Sequence, residues 1–225
     1  MAIPVVDSVS NLSGNGVGPF TWAHTCAGSD RLLRVTVSHY DSSDPVTGIT
    51  YNGVALTAVP SGATTNGQYW ITAYYLIAPD VGTYNIVVTV SGNVFDFGAG
   101  AISYNDVHQT VPLGTAVTAI GTSTTPSVTV SSAADELVDD GLVIIHSGTL
   151  SVGAGQTQRW NAITTNGFIK YAGSTEVGAA STTMSWSNSS SQTWAIVAVP
   201  IKPTAGAPAT SIVPHQAYYR RRRAA

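Results

Sequence analysis

Alternation of apolar and polar residues is the feature that most constrains how this chain can fold. In RLLRVTVSHY, Leu33, Val35 and Val37 point one way and their polar neighbours point the other, and TYNIVVTVSG repeats the pattern. A period of two predicts β-strands with one buried face. GLVIIHSG and TWAIVAVPIK are apolar on both faces, which is typical of central strands that are covered on each side. No segment keeps a helical period, so the pattern predicts an all-β protein.

Turn signals separate these runs along the whole sequence. Asn52-Gly53 lies between two short apolar segments, and because both residues tolerate a positive φ the pair is a strong hairpin signal. Gly- and Pro-containing breaks such as PSGATTNG, APDVG and GTSTTP follow it. The spacing predicts about a dozen strands in an antiparallel β-sandwich.

The tetrapeptide TTNG occurs twice, at residues 64–67 and 164–167. Two copies are compatible with an alternative fold, in which the chain forms two small Ig-like sandwiches. The segments that follow them, QYWITAYY and FIKYAGST, do not resemble each other. A single sandwich over residues 1–202 is therefore the preferred prediction.

The end of the chain differs from the rest in composition. Residues 203–225 form a Pro/Ala-rich linker and a Tyr/Arg tail. Four of the nine Lys and Arg residues lie in this tail, which leaves five bases against twelve acids, a formal charge of −7, in the body. The residues that we predict to dock on a partner are Tyr218, Tyr219, Arg220, Arg221, Arg222 and Arg223.

The partner of this tail is predicted from charge. Arginine pairs bidentately with carboxylates, so an acidic groove on another copy of the chain or on another protein of the same assembly suits it. Four arginines alone bind nucleic acid only weakly, and the acidic body opposes such binding, so nucleic acid is not the expected partner. A solvated end without a partner is the alternative interpretation.

Composition restricts the cellular setting. Only 9% of residues are charged and there is one cysteine, Cys26, so no disulfide framework is expected. The first residues, MAIPVVDSVSNLSG, lack the basic and apolar regions of a signal peptide. No run of apolar residues is long enough for a membrane span. A low charge suits a protein held in an assembly or displayed outside a cell.

A series of longer motifs adds a family resemblance. It comprises TWAHTCAGSDRLLRVTVS, VTGITYNGVALTAV, YYLIAPDVGTYNIVVTVSG, ISYNDVHQTVPLGTAVTAIGTSTTPSVTVSSA, GAGQTQRW and WAIVAVPIKP. Over roughly residues 5–202 the chain resembles a β-sandwich domain of bacteriophage virion proteins and some bacterial surface proteins, which generally has no assigned activity. The resemblance implies a jelly-roll-like sandwich with a structural or adhesive role, and it supplies no catalytic residues. The arginine tail lies outside it.

The sequence contains no pattern that predicts a catalytic or metal-binding site. There is no G-x-S-x-G elbow for a nucleophilic serine. His24 and Cys26 would share a strand face, and we interpret them as buried residues instead of a reactive pair. The acids at Asp41 and Asp44 and at 135–140 do not match a calcium loop, and the histidines lack zinc spacing. The chain is predicted to be neither an enzyme nor a cofactor-binding protein.

Exposed aromatic rings would instead indicate sugar binding. Trp160, in the predicted loop GQTQRWNA, is the best candidate for an exposed glycan-stacking ring, and Trp22, Trp186 and Trp194 are predicted to be core. The leading prediction is a non-enzymatic capsid or tail decoration module located in a phage virion. The alternative is a carbohydrate-binding adhesion module that is extracellular or on a cell surface.

Overall fold

A computed structural model describes residues 2–204 of the chain. The first nine strands are β1 Val5–Val17, β2 Phe20–Cys26, β3 Leu32–Tyr40, β4 Val46–Tyr51, β5 Val54–Ala55, β6 Thr57–Thr65, β7 Tyr69–Ile77, β8 Gly82–Val90 and β9 Asn93–Asn105. The strands that follow are β10 Val117–Ser123, β11 Ser127–Val130, β12 Leu137–Ile145, β13 Leu150–Val152, β14 Thr157–Ile163, β15 Ile169–Val177, β16 Thr182–Asn188 and β17 Gln192–Ile201.

These strands confirm the prediction of an all-β antiparallel sandwich, and the described residues contain seventeen of them instead of about a dozen. The predicted hairpin at Asn52-Gly53 joins β4 to β5, with φ values of 48° and 78°. Both values lie in the left-handed region, where Asn and Gly are tolerated best. Within residues 2–204 there is no helix long and apolar enough to cross a membrane.

The strands form two sandwiches with the same strand order. In the first unit, residues 5–105, the five-stranded sheet β1-β9-β3-β7-β6 packs on the sheet β2-β8-β4-β5. In the second unit, residues 117–201, the five-stranded sheet β10-β17-β12-β15-β14 packs on β11-β16-β13. The sandwich is thus present twice, which favours the two-sandwich alternative over a single sandwich for the body of the chain.

The two TTNG segments occupy equivalent turns of the two units. The first joins β6 to β7, where Thr57 pairs with Tyr75, and the second joins β14 to β15, where Thr157 pairs with Thr175. Each turn uses a glycine with positive φ, 96° at Gly67 and 75° at Gly167. The tetrapeptide is therefore a trace of the internal repeat, although the segments after it have diverged.

The central strands of the two units run side by side in the same direction. Arg34 and Asp139 each lie two residues after the first residue of their strands, β3 and β12, and their side chains are in contact. Four residues after the strand start, a Cβ on Gly141 would lie 2.4 Å from Cγ2 of Thr36. Equivalent residues thus face each other along an approximate two-fold axis that is parallel to these strands. Consistently, β9 faces β15, β7 faces β17 and β6 faces β10.

Three apolar layers hold the four sheets together. The layer inside the first unit includes Leu33 and Val35, and the layer inside the second includes Leu142. The middle layer, which includes Ile71 and Val197, joins the two five-stranded sheets. Because both faces of these sheets are covered, β12 and β17 can be apolar on both faces, as the sequence predicted.

The two ends of this stacked body are different. At one end, the exit end, Leu32 pairs with Tyr104, and Ile201 ends β17. There the chain runs on to Thr204, whose N–H donates to Asp106 O at 2.8 Å. At the opposite end, which we call the patch end, β3 ends at Tyr40. Tyr40 pairs with Tyr69 just after the first TTNG turn, and Ile145 pairs with Ile169 just after the second, so both turns lie at this end.

Candidate functional site

Trp160 is not an exposed loop residue, and this prediction is wrong. It lies in β14, keeps 6% exposure and belongs to the middle apolar layer. Its ring fits against two glycines, since a Cβ would lie 2.2 Å from the ring at Gly100 and 2.3 Å at Gly173. A ring enclosed in this way offers no face to a sugar.

Trp160 was expected in a loop for two reasons: the strand that carries it has a register shift, and the contact that buries it comes from a residue far away in the sequence. The register of β14 shifts between Gln158 and Trp160, so the polar run before the tryptophan resembles a loop. The space for the indole is created by Gly100 of the first unit, a residue far away in the sequence. Trp22, Trp186 and Trp194 are buried, as predicted.

The predicted docking residues of the tail lie outside the described residues. They are Tyr218, Tyr219, Arg220, Arg221, Arg222 and Arg223.

The interpretation of His24 and Cys26 as buried residues is confirmed. Both lie on the inner face of β2, with 1% and 0% exposure. Burial lowers the pKa of His24 to about 4 and raises the pKa of the Cys26 thiol, so at neutral pH the imidazole is uncharged and the thiol is protonated. His24 Nδ1 lies 2.7 Å from Ser10 Oγ. The arrangement is structural and does not activate the cysteine.

The adjacent acids of β12 point to different layers. Asp139 pairs with Arg34 in the middle layer, whereas Asp140 accepts hydrogen bonds from Ser174 N at 2.6 Å and Trp186 Nε1 at 2.7 Å inside the second unit. Because neighbouring strand residues face opposite ways, these carboxylates cannot converge on one ion. Among residues 2–204, no three His, Cys, Asp or Glu side chains are grouped to hold a metal ion.

Four rings form a cluster at the patch end, which we call the aromatic patch: Tyr40, Tyr69, Phe95 and Phe168. Tyr40 lies at its centre, with ring centroids 5.1 Å from Tyr69, 5.6 Å from Phe95 and 5.9 Å from Phe168. Phe95 and Phe168 meet edge to face at 4.8 Å and 79°. Their exposed fractions are 42% and 50%. A cluster of exposed rings on a protein surface indicates an interaction site.

A buried carboxylate of the first unit fixes the turn that carries Phe168. Asp96 is fully buried, and it accepts hydrogen bonds from the Thr164 hydroxyl and from the backbone N–H groups of Asn166 at 3.2 Å, Phe168 at 3.0 Å and Ile169 at 3.3 Å. The second TTNG turn is thus attached to β9 of the first unit. The Phe95 and Phe168 rings are brought together from different units by this contact.

Two depressions lie on either side of Phe95. The first, about 300 Å³, is lined by Tyr40, Asp41, Ser42, Gln68 and Phe95. The second, about 200 Å³, is lined by Asn15, Gly16, Asn93, Val94, Phe95 and Asn166. Amide, hydroxyl and carboxylate groups therefore surround the rings, and the patch combines apolar faces with hydrogen-bonding groups.

A larger groove of about 370 Å³ is formed by the linker between the units, the bulged part of β6 and the last described residues. Its lining includes Tyr75, Pro112 and Lys202. Lys202 N donates to Pro112 O at 2.8 Å, so the groove lies where the linker packs on the end of β17, near the exit end.

The sequence carried one signal for the aromatic patch. Phe168 directly follows the second TTNG, and the first TTNG is followed by Gln68. A phenylalanine at the tip of an otherwise repeated turn is unusual for a solvent-exposed position. Phe95 had no such signal, because Phe95 and Phe97 in VFDFG are two positions apart and alternation predicts the same face for both, whereas only Phe97 is buried.

Comparison with known proteins gave no match: no family model and no curated protein aligns with the chain.

Proposed function

We propose that this protein is a non-enzymatic structural module of a phage virion, a decoration or display component that is attached at its exit end and presents its patch end outward. The observation that carries the proposal is the position of the aromatic patch relative to the chain exit. Leu32 and Tyr40 begin and end β3, and their eight-residue separation corresponds to about 27 Å along an extended strand. An attachment at one end leaves the other free for contacts.

The architecture of the body supports a structural role. Four stacked sheets with three apolar layers give a body whose parts are joined by buried contacts. Its buried acids are used in these contacts: Asp96 holds a turn, Asp139 pairs with Arg34, and Asp140 bonds Trp186. Acidic side chains committed to such bonds stabilise one arrangement of the sheets.

The attachment itself is proposed from the sequence. The basic tail from Tyr218 to Arg223 follows a body of formal charge −7, so it suits acidic surfaces on neighbouring subunits. One such contact is weak, and linkage of many copies in a particle raises the effective concentration. The resemblance to virion β-sandwich domains supports the same location.

Incorporation into particles tests the proposal. Phage particles are produced with the full chain, with a chain ending at Thr204, or with all four tail arginines changed to serine, and the protein is quantified by mass spectrometry. We expect both tail changes to reduce incorporation strongly, whereas Phe168→Gln at the other end leaves it unchanged. Equal incorporation of the truncated chain would exclude tail docking, and absence of the full chain from particles would exclude the virion role.

A carbohydrate-binding adhesion module is the second candidate. The exposed rings of Phe95 and Phe168 favour it. The two candidates differ in where the protein is found, in particles or on a cell surface. In both candidate functions the patch end is the end that binds a ligand.

A further inference from the structure

The aromatic patch is not required by the fold, because the equivalent positions of the other unit lack aromatic rings. The equivalents of Tyr40, Tyr69, Phe95 and Phe168 are Ile145, Ile169, Gln192 and Gln68. Both units form the same sheets with these different residues. The architecture therefore does not explain why aromatic rings occupy the patch end.

Each of the two exposed rings offers a face on which a flat ligand can stack. Phe168 and Phe95 are about half exposed and stand nearly at right angles, with Tyr40 supporting both from below. Leaving two phenylalanine rings in water costs hydrophobic free energy. A flat ligand face with apolar C–H groups recovers it by covering the rings, and the pyranose ring of a sugar has such a face.

The groups around the rings select a neutral ligand. Amides dominate the polar part of the two depressions, with Gln68 in the first and Asn15, Asn93 and Asn166 in the second. An amide both donates and accepts hydrogen bonds, as does a sugar hydroxyl. Of the described residues that line the depressions only Asp41 is charged, so no cationic group there matches a phosphate or sulfate.

The patch is also preorganised for binding. Asp96 fixes the turn of Phe168, and Asn166 donates from Nδ2 to Phe95 O and accepts from Asn15 Nδ2. The rings are thus positioned before a ligand arrives. Binding then costs less conformational entropy than ordering a loose loop.

We propose that the aromatic patch binds a neutral oligosaccharide, with separate sugar rings stacked on the faces of Phe95 and Phe168, which stand at 79° to each other, and neighbouring sugars in the two depressions. This inference deepens the display role, on which it rests: the displayed end is a glycan-binding end. A rigid particle component with this property attaches weakly to polysaccharide, and many copies together attach firmly.

The test uses purified full-length protein and soluble hexasaccharides of glucose, galactose, mannose and N-acetylglucosamine, with sulfated and phosphorylated oligosaccharides as the anionic set. Binding is measured by calorimetry and by changes in backbone amide NMR signals. We expect at least one neutral hexasaccharide to bind saturably and to shift the signals of residues 93–96 and 165–168. Failure of every neutral probe, or binding of anionic probes only, overturns the proposal.

The decisive variant is the double change Phe95→Gln and Phe168→Gln, because the other unit has glutamine at both positions. We expect it to lower affinity about tenfold or more, which corresponds to about 1.4 kcal/mol of binding free energy, because both stacking faces are lost. Tyr84→Ala is the matched control: it removes an exposed ring in β8 on an outer sheet and should leave affinity unchanged. Unchanged affinity in the double variant contradicts the proposal. If that variant does not fold, Phe168→Gln alone and the NMR footprint decide.

A peptide partner is the competing outcome. A synthetic peptide of residues 212–225, with its two tyrosines and four arginines, is titrated into the chain ending at Thr204. If it shifts the 93–96 and 165–168 signals and no hexasaccharide does, the patch is a tail-docking site. The result is independent of the particle experiment, because loss of sugar binding leaves incorporation intact and loss of incorporation leaves sugar binding intact.

Discussion

Arg34 and Asp139 occupy the same position in the two units of the chain, and they form a buried two-point ion pair between the five-stranded sheets. Arg34 Nη2 donates to Asp139 Oδ1 at 2.9 Å and Nε donates to Oδ2 at 3.1 Å. Tyr104 Oη donates to the same carboxylate at 2.9 Å. In a symmetric dimer of identical units, equivalent residues that face each other are the same residue, so Arg34 would meet another arginine. Because the two units belong to one chain and differ in sequence, one of the two equivalent positions can be basic and the other acidic.

Removing one partner of this pair should destabilise the protein strongly. We expect Asp139→Ala to lower the free energy of unfolding by about 3–5 kcal/mol, because the guanidinium of Arg34 and the Tyr104 hydroxyl are then left buried without the carboxylate. Urea denaturation measures the change. The triple variant Arg34→Met/Asp139→Leu/Tyr104→Phe should recover most of the loss, since it also removes the buried Tyr104 hydroxyl that would otherwise lack the carboxylate. The pair His39–Asp44 provides a comparison: His39 is buried but Asp44 is 30% exposed and keeps contact with water, so Asp44→Ala should cost less than Asp139→Ala.

The glycines around Trp160 predict a second destabilisation. Gly173→Ala should cost about 1–3 kcal/mol, because its Cβ would lie 2.3 Å from the indole and the packed middle layer cannot yield without strain. Gly48→Ala is the matched control in another strand, where a Cβ meets nothing within 4 Å. Thermal unfolding compares the two. Equal melting temperatures would show that Trp160 can move aside.

Separation of the two units should expose their shared layer. We expect residues 1–110 and residues 111–225, produced separately, to aggregate or remain unfolded, because each would expose the apolar face of a five-stranded sheet. Co-expressed, the two fragments should associate, and co-purification through a tag on one fragment measures this. A stable, monomeric first fragment would contradict the importance of the middle layer.

The buried His24 predicts one component of the pH dependence of folding stability. Burial lowers its pKa to about 4 from 6.5, against the opposing effect of Asp7. The folded state therefore favours the neutral imidazole, and this stability is present above pH 6.5 and is lost as the pH falls toward 4. The destabilisation caused by His24→Asn should be largest at pH 7 and should shrink toward pH 4, as measured by urea denaturation across that range.

Asp140 predicts a second component of the pH dependence of folding stability, with the opposite sign. Burial raises its pKa to about 7 from 3.8, assisted by Asp139 and opposed by the hydrogen bonds from Ser174 and Trp186. Its contribution to stability is present below pH 3.8 and is lost as the pH rises toward 7. Asp140→Asn should therefore destabilise the protein most at pH 4 and least at pH 7. A destabilisation that grows with pH would indicate an ionised carboxylate.

The hold of Asp96 on the second TTNG turn can be measured by hydrogen exchange. We expect Asp96→Asn to cost about 1–3 kcal/mol and to accelerate exchange of the Asn166, Phe168 and Ile169 amides. The first turn is an internal control, because its Gln68 and Tyr69 amides donate to Asn66 Oδ1 and should keep their protection. Acceleration at both turns would indicate general loosening.

The local sequence pattern was sufficient to predict the strands and one hairpin of this fold. Alternation placed the strands, and Asn52-Gly53 placed a hairpin, because both depend on short-range sterics and on which face of a strand is apolar. The core positions of Trp22, Trp186 and Trp194 followed from the same alternation. The repeat was visible only as TTNG, since packing against different neighbours allowed everything after it to diverge.

What the sequence by itself determined was thus an all-β chain of short antiparallel strands with a separate basic end. Only the tertiary structure decided that the sandwich occurs twice, that Trp160 is enclosed by Gly100 and that Asp96 brings Phe168 to Phe95. The physical reason is that these contacts join residues more than fifty positions apart. Their partners are selected by sheet pairing and layer packing, which leave no period or spacing in the sequence.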